Sequence, residues 1–412
     1  MAVSVDRARD LARELGRARL RPVETVPVAA SPGSVLAAPL LAVTDVPLAD
    51  ASAMDGFAVA GPGPWSVVGT VLAGGAPAAP LSSGEAVEVA TGALVPTATD
   101  RVLPVETVAV SVVPGATMSG DGGAGHDGTG DVRGAPSRLV ALGAQEPTRR
   151  HVRPRGEECS AGEELLPAGV RVVAAVAGLA ASTGSDVLAV RRPPRVAALV
   201  TGDEVLAAGV PRAGQVRDAI GPLLPHAVVA LGGELVDLGR CGDAAGELGV
   251  ALERMLAGDA DVLLTCGMAG AGPADRLRPW LSQVGARLVV DGVAVRPGHP
   301  QVLAILPDGR PLVGLPGNPL AAVAALLVLL HPLLEGMTGC TARPERALLR
   351  GWHARGRPVT SLVPVRRGGA GEVEPAGPDG PAQLRGLAAA DAVAVVPAGW
   401  DPADPVELLP RP

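Results

Sequence analysis

"PLVGLPGNPLAAVAALLVLL", Pro311 to Leu330, contains the only asparagine in a chain of 412 residues. Leu312 to Leu315 reads as a buried strand, and Ala321 to Leu330 as an apolar helix. The turn between them has the chemistry of a helix start. Asparagine is among the preferred N-cap residues, because its side-chain oxygen accepts a first-turn backbone N–H. Proline suits the first helical position, where its missing N–H costs nothing. Asn318 is therefore expected to cap the helix and Pro319 to open it, while Pro316 and Gly317 turn the chain. Such a start also attracts anions, since its free N–H groups and the helix dipole both favour negative charge.

Working outward, the stretch from the Pro193–Pro194 pair to about residue 338 repeats the same rhythm. "RVAALV", "ELVDLG", "ADVLLT", "RLVVDGV", "QVLAIL" and "PLVGL" read as strands. "VRDAIGPLLPHAVVALGG", "DAAGELGVALERMLAG" and "ADRLRPWLSQVG" read as helices. This alternation predicts a largely parallel α/β sheet covered by helices on both faces. Ligands of such sheets sit outside the carboxyl ends of the strands. Three turns there carry unusual residues: Thr201–Glu204 ("TGDE"), Thr265–Asp275 ("TCGMAGAGPAD") and "PGNP" itself. A glycine-rich loop followed by an acidic residue can bring backbone amides near an oxyanion.

The predicted fold is a mixed α/β, multidomain one. Residues 1–46, continued by 150–192, form an N-terminal helical and linker part opened by a helix at Val5–Gly16. Residues 47–149 are β-rich and include a flexible glycine-rich loop, Val113–Ser137, that lacks periodicity. The α/β domain spans 194–338, and 341–412 is a C-terminal β domain.

Composition bounds the function. Hydrophobic residues make up 48% and aromatics 1%, so the cores must be packed from Ala, Val and Leu. There is no lysine, and Phe57 is the sole phenylalanine. A net charge of -7, with no arginine cluster interleaved with aromatics, argues against nucleic-acid binding. No uninterrupted apolar stretch reaches the roughly 20 residues of a membrane span, and Met1–Arg21 has no apolar signal core. The four cysteines lie far apart, without metal or disulfide spacing. A soluble cytoplasmic protein is expected. Cys266, at a strand end with no histidine near in sequence, reads as an inert thiol.

"PLADASAMDGFAV" (Pro47–Val59), "VATGALVP" (Val89–Pro96), "VRPRGEE" (Val152–Glu158), "VTGDEV", "GQVRDAIG", "TCGMAGAGPAD", "RPGHP" and "LPGNP" occur in order along nearly the whole chain. In this the sequence resembles the molybdopterin molybdenumtransferase family, MoeA-type, including the gephyrin E domain. The resemblance implies insertion of molybdate into adenylylated molybdopterin, with release of AMP and the help of Mg²⁺. It implies an elongated homodimer whose site is shared between the α/β domain of one subunit and the "MDGF" and "TGA" loops of the other. Transient contact with other cofactor-biosynthesis proteins or molybdoenzymes is a further expectation.

Carried over position by position, the resemblance nominates Asp55, Thr91, Glu204 and Asp275 as catalytic. Thr201, Gly202, Asp243, Gly267, Gly272, Arg296, Pro316, Gly317, Asn318 and Pro319 would bind substrate. Glu204, Asp243 and Asp275 would hold the cation, and Asp218 is a further candidate. Carboxylates suit Mg²⁺ and proton handling on molybdate oxygens, while amides and fixed cations suit the anionic substrates. Taken alone, Asp275 and Asp243 also read as N-caps and Asp55 as a turn residue. The family's three lysines fall on Gly292, Arg296 and His299. Its Gly-Glu-Asp motif ends here in Glu158, its paired glycine is Met268, its serine is Gly270, and Ala219 and Ile220 displace the asparagine after Asp218. Arginine can replace lysine as a phosphate clamp, with forked geometry; glycine supplies no charge. A binding-only or scaffolding member that holds molybdopterin without turnover is the alternative reading. A generic nucleotide-phosphate transferase is a third, which "SAMDGFAV" disfavours.

Overall fold

Ser4 starts the first helix, α1 (Val5–Arg17), its side chain accepting the Arg7 N–H at 3.2 Å. The computed structural model describes residues 2–112, 137–141 and 149–412, apart from 77, 271, 273–274, 342–343, 354–358, 370, 379 and 381. All but the last residue of the expected loop Val113–Ser137 lies outside the described residues. The chain divides into two compact units, one of residues 41–165 with 179–185, the other of 1–40, 166–178 and 186–412.

The second of these carries the α/β sheet. In chain order its elements are β1 (Arg195–Thr201), α2 (Leu224–Ala230), β2 (Glu234–Cys241), α3 (Ala245–Ala257), β3 (Val262–Cys266), α4 (Leu277–Gln283), β4 (Arg287–Asp291), β5 (Val302–Ile305), β6 (Pro311–Leu315) and α5 (Pro319–Thr338). The strand order is β2-β1-β3-β6-β5-β4. The first four are parallel, and β5 and β4 add two antiparallel strands. A strand buried on both faces needs apolar residues on both. Along β1 the two faces sort by parity. Val196, Ala198 and Val200 pack with α1, α2 and α5, while Ala197 and Leu199 pack with α3 and α4.

Two predicted elements differ. "VRDAIGPLLPHAVVALGG" is helical only at Leu224–Ala230; Val216–Arg217 is a short strand paired with Val205–Leu206. Between them the Asp218 carboxylate accepts the N–H groups of Ile220 and Gly221, which favours a turn over a helix. The helix after Asn318 is longer than expected. It runs 20 residues with a mean hydropathy of 2.0 and is 89% buried. By length and composition it could cross a membrane; here it is the core helix of the α/β unit. A π turn at Leu326–Leu330 stands just before Pro332, which has no N–H to give to the Val328 carbonyl and would crowd it.

The C-terminal strands form a separate sheet within the same unit. Pairing of Thr360–Arg367 with Ala392–Val396 closes Thr360–Arg367, Glu372–Pro375, Glu345–Leu349, Pro405–Pro410 and Ala392–Val396 into a small barrel. Among its described residues the other unit holds a six-stranded, mostly antiparallel sheet, with Gly56–Val59 paired to both Glu85–Val89 and Arg101–Pro104.

The crossing of α1 over α5 is made by glycines. A Cβ on Gly336 would lie 2.9 Å from Arg17 N and 3.0 Å from Gly16 Cα. Gly336→Val should therefore lower the unfolding free energy by about 1–3 kcal/mol through overpacking, read by chemical denaturation.

Candidate active site

Parallel pairing places Arg240, Val200, Cys266 and Leu315 in one row across β2, β1, β3 and β6. The loops leaving these strand ends surround a cavity of about 650 Å³. Thr201, Gly202 and Glu204 line it from the β1 turn, and Asp243 from the loop after β2. Gly267 and Asp275 line it from the β3 loop, and Gly317, Asn318 and Pro319 from the β6 turn. The structure thus brings together most of the residues nominated in this unit. Gly272, Arg296 and Pro316 do not line it. Arg296 is exposed on the strand Val295–Arg296, paired with Thr360–Ser361, and Pro316 is buried.

The β6 turn keeps the expected arrangement with one difference. Asn318 is the N-cap residue and Pro319 follows it, but the Asn318 side chain makes no capping hydrogen bond. Its carbonyl accepts the Ala322 N–H at 2.8 Å, and its amide is left exposed at the cavity. The asparagine therefore offers its side chain outward rather than to its own helix.

The glycines of the site make room for backbone and carboxylates. Gly267 adopts φ +97°, and a Cβ there would meet Thr201 Oγ1 at 2.6 Å; that hydroxyl donates to the Cys266 carbonyl at 3.1 Å. Gly202, at φ +135°, has the Glu204 carboxylate folded over it, with Oε2 2.7 Å from where a Cβ would be.

Asp275 is not an N-cap: Arg276 holds that position before α4. The Asp275 carboxylate instead accepts the Gly270 N–H at 2.9 Å and the Gly272 N–H. The loop's amides, expected to cradle an oxyanion, are taken by the chain's own carboxylate. Gly270 permits this, since a Cβ there would lie 2.6 Å from Asp275 Oδ2. Asp243 is likewise no cap, as Ala244 precedes α3. The Asp243 N–H donates to Asp203 Oδ1 at 3.1 Å, and the Asp203 N–H reaches Asp243 Oδ2 at 3.4 Å. Among the described residues no group of three or more His, Cys, Asp or Glu side chains stands close enough to hold a metal.

Met268 occupies the left-handed region at φ +58°, and its side chain packs in the core with Leu277 and Trp280. Its departure from glycine therefore adds backbone strain, and the residue also lines the cavity. Gly292 sits at φ +86° with His299 Cε1 3.4 Å from its missing Cβ, so a lysine there would be strained. Cys266 is 1% exposed, and burial, with Asp218 nearby, pushes its thiol far above the ordinary value.

Asp55 and Thr91 lie in the other unit, both exposed. Asp55 Oδ1 accepts the Thr91 N–H at 2.7 Å and the Thr91 hydroxyl at 3.1 Å. They are therefore one pair, joined across 36 positions.

Two family models match the chain, "MoeA N-terminal region (domain I and II)" over residues 3–184 and "Probable molybdopterin binding domain" over 197–336. Molybdopterin molybdenumtransferase 2 of Mycobacterium tuberculosis is 30% identical over 358 residues, spanning 84% of this chain and 82% of that one. The chain belongs to the molybdopterin molybdenumtransferase family. The molybdopterin molybdenumtransferase of Nostoc sp. is 28% identical, over 80% of this chain and 71% of its own. The crystal structure of the molybdopterin biosynthesis MoeA protein of Pyrococcus horikoshii matches with a TM-score of 0.67 and 24% identity over 100% of both chains. At that identity the likeness concerns the fold.

Three residues of this molybdenumtransferase family member escaped the sequence reading. Arg217 is the one arginine among the described residues that line the cavity, and its Nη1 donates to the Leu206 carbonyl at 2.9 Å. Its only sequence signal was its place inside "GQVRDAIG". Arg278 clamps the glycine loop, donating to the Ala269 and Gly270 carbonyls at 2.8 and 2.5 Å and to Asp291 at 2.7 Å. Arg240 pairs with Asp218.

Asp275→Ala should speed hydrogen exchange at the Gly270 and Gly272 amides, read by mass spectrometry, with little change in melting temperature. The Cys266 thiol should resist iodoacetamide at pH 8.5 in the folded protein and react once unfolded. The unfolded thiol titrates near 9.0 and the folded one well above it. Its contribution to stability is therefore whole below about pH 9 and lost as pH rises further, at up to about 1.4 kcal/mol per pH unit. Cys266→Ala should flatten that alkaline fall, measured by denaturation from neutral pH upward.

Proposed function

We propose that this chain performs the family's transfer in molybdenum cofactor biosynthesis: molybdate enters adenylylated molybdopterin and AMP leaves. The observation that carries this reading is the cavity enclosed by the loops at the ends of four parallel strands, in a member of the molybdopterin molybdenumtransferase family. The binding-only alternative rested on Met268, Gly270 and Gly292. It is not favoured: Gly270 accommodates the Asp275 carboxylate, and the similar proteins of Mycobacterium tuberculosis and Nostoc sp. are molybdopterin molybdenumtransferases.

Within the reading, the exposed Gly317–Asn318 turn and the Arg217 guanidinium receive the pterin phosphate. Arg296, outside the cavity wall, meets the solvent-facing side of the ligand. Glu204 and Asp243 are the carboxylates with oxygens available to Mg²⁺, which commonly takes one or two carboxylates together with waters and substrate phosphates. Bound there, the cation would offset charge on phosphate and molybdate oxygens. Asp275, committed to two amides, acts by holding the glycine loop, a narrower role than cation ligand. Glu204, exposed beside Gly202, is the group placed to take up or return a proton on a molybdate oxygen.

The Asp55–Thr91 pair completes the site from a second subunit of a homodimer, in the cytoplasm. Their exposure and their place in a separate compact unit support that role, and the four free cysteines suit a reducing compartment. The four-part division at residues 46, 149, 192 and 338–341 belongs to the same proposal.

The assay combines purified protein, adenylylated molybdopterin, Mg²⁺ and molybdate, and follows AMP. Release that depends strictly on molybdate is expected, and Glu204→Ala should slow it about a hundredfold or more. Tight pterin binding without release at any molybdate concentration would leave the binding-only member standing. Mixing inactive Asp55→Ala and Glu204→Ala proteins after subunit exchange should restore about a quarter of the activity, because half the dimers would hold one intact site of two. No recovery, or a monomer by light scattering, would count against the shared site.

A further inference from the structure

The cavity that would receive a phosphate-bearing ligand is lined by more negative than positive charge. Glu204, Asp218, Asp243 and Asp275 supply four carboxylates, against the guanidinium of Arg217. Asp218 differs from the others in having a side chain only 2% exposed. A buried carboxylate is tolerated only when it is hydrogen-bonded and paired. Its Oδ1 accepts the N–H groups of Ile220 at 3.0 Å and Gly221 at 2.8 Å. Its Oδ2 is held by Arg240 Nη2, from the end of β2. Arg240 does not line the cavity; it reaches Asp218 from behind the wall. The turn is shaped for this contact, because a Cβ on Gly221 would collide with both Asp218 Oδ2 and Arg240 Nη2.

We infer that Arg240 is a positioning residue of the site: it fixes the Arg217–Ile220 turn through Asp218 and cancels the one fully buried negative charge that an anionic ligand would face. The inference rests on the molybdopterin reading above. It deepens that reading by assigning the charge balance to a residue outside the motifs. From the neighbouring strand β3, the buried Cys266 thiol stays neutral and adds no charge. The remaining charged groups of the wall are Glu204, Asp243, Asp275 and Arg217. Asp218, satisfied on both oxygens, is then neither a cation ligand nor a substrate contact.

The test uses the full chain as wild type, Arg240→Met, Asp218→Asn and the double variant. Each is titrated with molybdopterin and with dephosphorylated molybdopterin, following pterin fluorescence. Arg240→Met should weaken binding of the phosphate-bearing pterin about tenfold and of the dephosphorylated one less than about threefold. Asp218→Asn and the double variant should both bind the phosphate-bearing pterin within about threefold of wild type. Equal losses for the two ligands would show a merely structural turn and overturn the proposal. Loss of binding on Asp218→Asn alone would make Asp218 a ligand contact and overturn it too. If Arg240→Met does not fold, the double variant and Arg240→Lys decide: both should bind the phosphate-bearing pterin near the wild-type level, and failure of either sinks the idea. If wild type binds neither pterin, the proposed function falls, and the same proteins titrated with inorganic phosphate still decide the charge role.

Discussion

Parallel pairing of β2, β1, β3 and β6 sets the position of every charged group in the cavity. With Arg240, Val200, Cys266 and Leu315 in one row, the residues that follow them leave the sheet at the same level. Each loop then turns back toward a helix, and the space between the loops becomes the cavity. A shift of one residue in any of these strands would exchange its two faces. The parity sorting of β1, with Val196, Ala198 and Val200 on one side and Ala197 and Leu199 on the other, resists such a shift. Core packing and site geometry therefore have the same cause.

The carboxylates of the site divide by how their charge is met. Asp218 is buried and satisfied by two amides and an arginine. Asp275 is satisfied by two glycine amides. Glu204 folds over Gly202, and the Asp243 and Asp203 carboxylates each accept the other's backbone N–H. The first two stabilise the loops in which they stand, and the last two line the cavity without an arginine partner among the described residues. Glycine makes this division possible at three places: Gly202, Gly221 and Gly270 each leave a carboxylate the volume that a methyl group would fill. In a chain with 55 glycines, those three are distinguishable only by what lies against them.

The departures from the family pattern also acquire physical meaning in the fold. A methionine for glycine at 268 costs backbone strain while its side chain joins the core. Glycine at 292 accompanies a left-handed backbone, so the missing lysine charge cannot simply be put back. Gly270, in place of serine, is coupled to Asp275.

The sequence by itself determined the alternation of strands and helices, the three turns that line the cavity, and the N-cap position of Asn318. These follow from periodicity and from residue types acting on their immediate neighbours, which a linear reading can see. Motif order similarly marks Asp55 and Thr91, which the fold joins by hydrogen bonds. The tertiary structure alone decided that Asn318 leaves its own helix uncapped, that Asp275 turns back onto Gly270 and Gly272, and that Arg240 reaches Asp218. It also decided that the helix from Pro319 continues to Thr338, because the core encloses it on nearly all sides. The reason is common to these cases. A side chain with several possible hydrogen-bond partners takes the one that burial and neighbouring strands leave in reach, and residues 22 or 36 positions apart become neighbours only when the sheet brings them together.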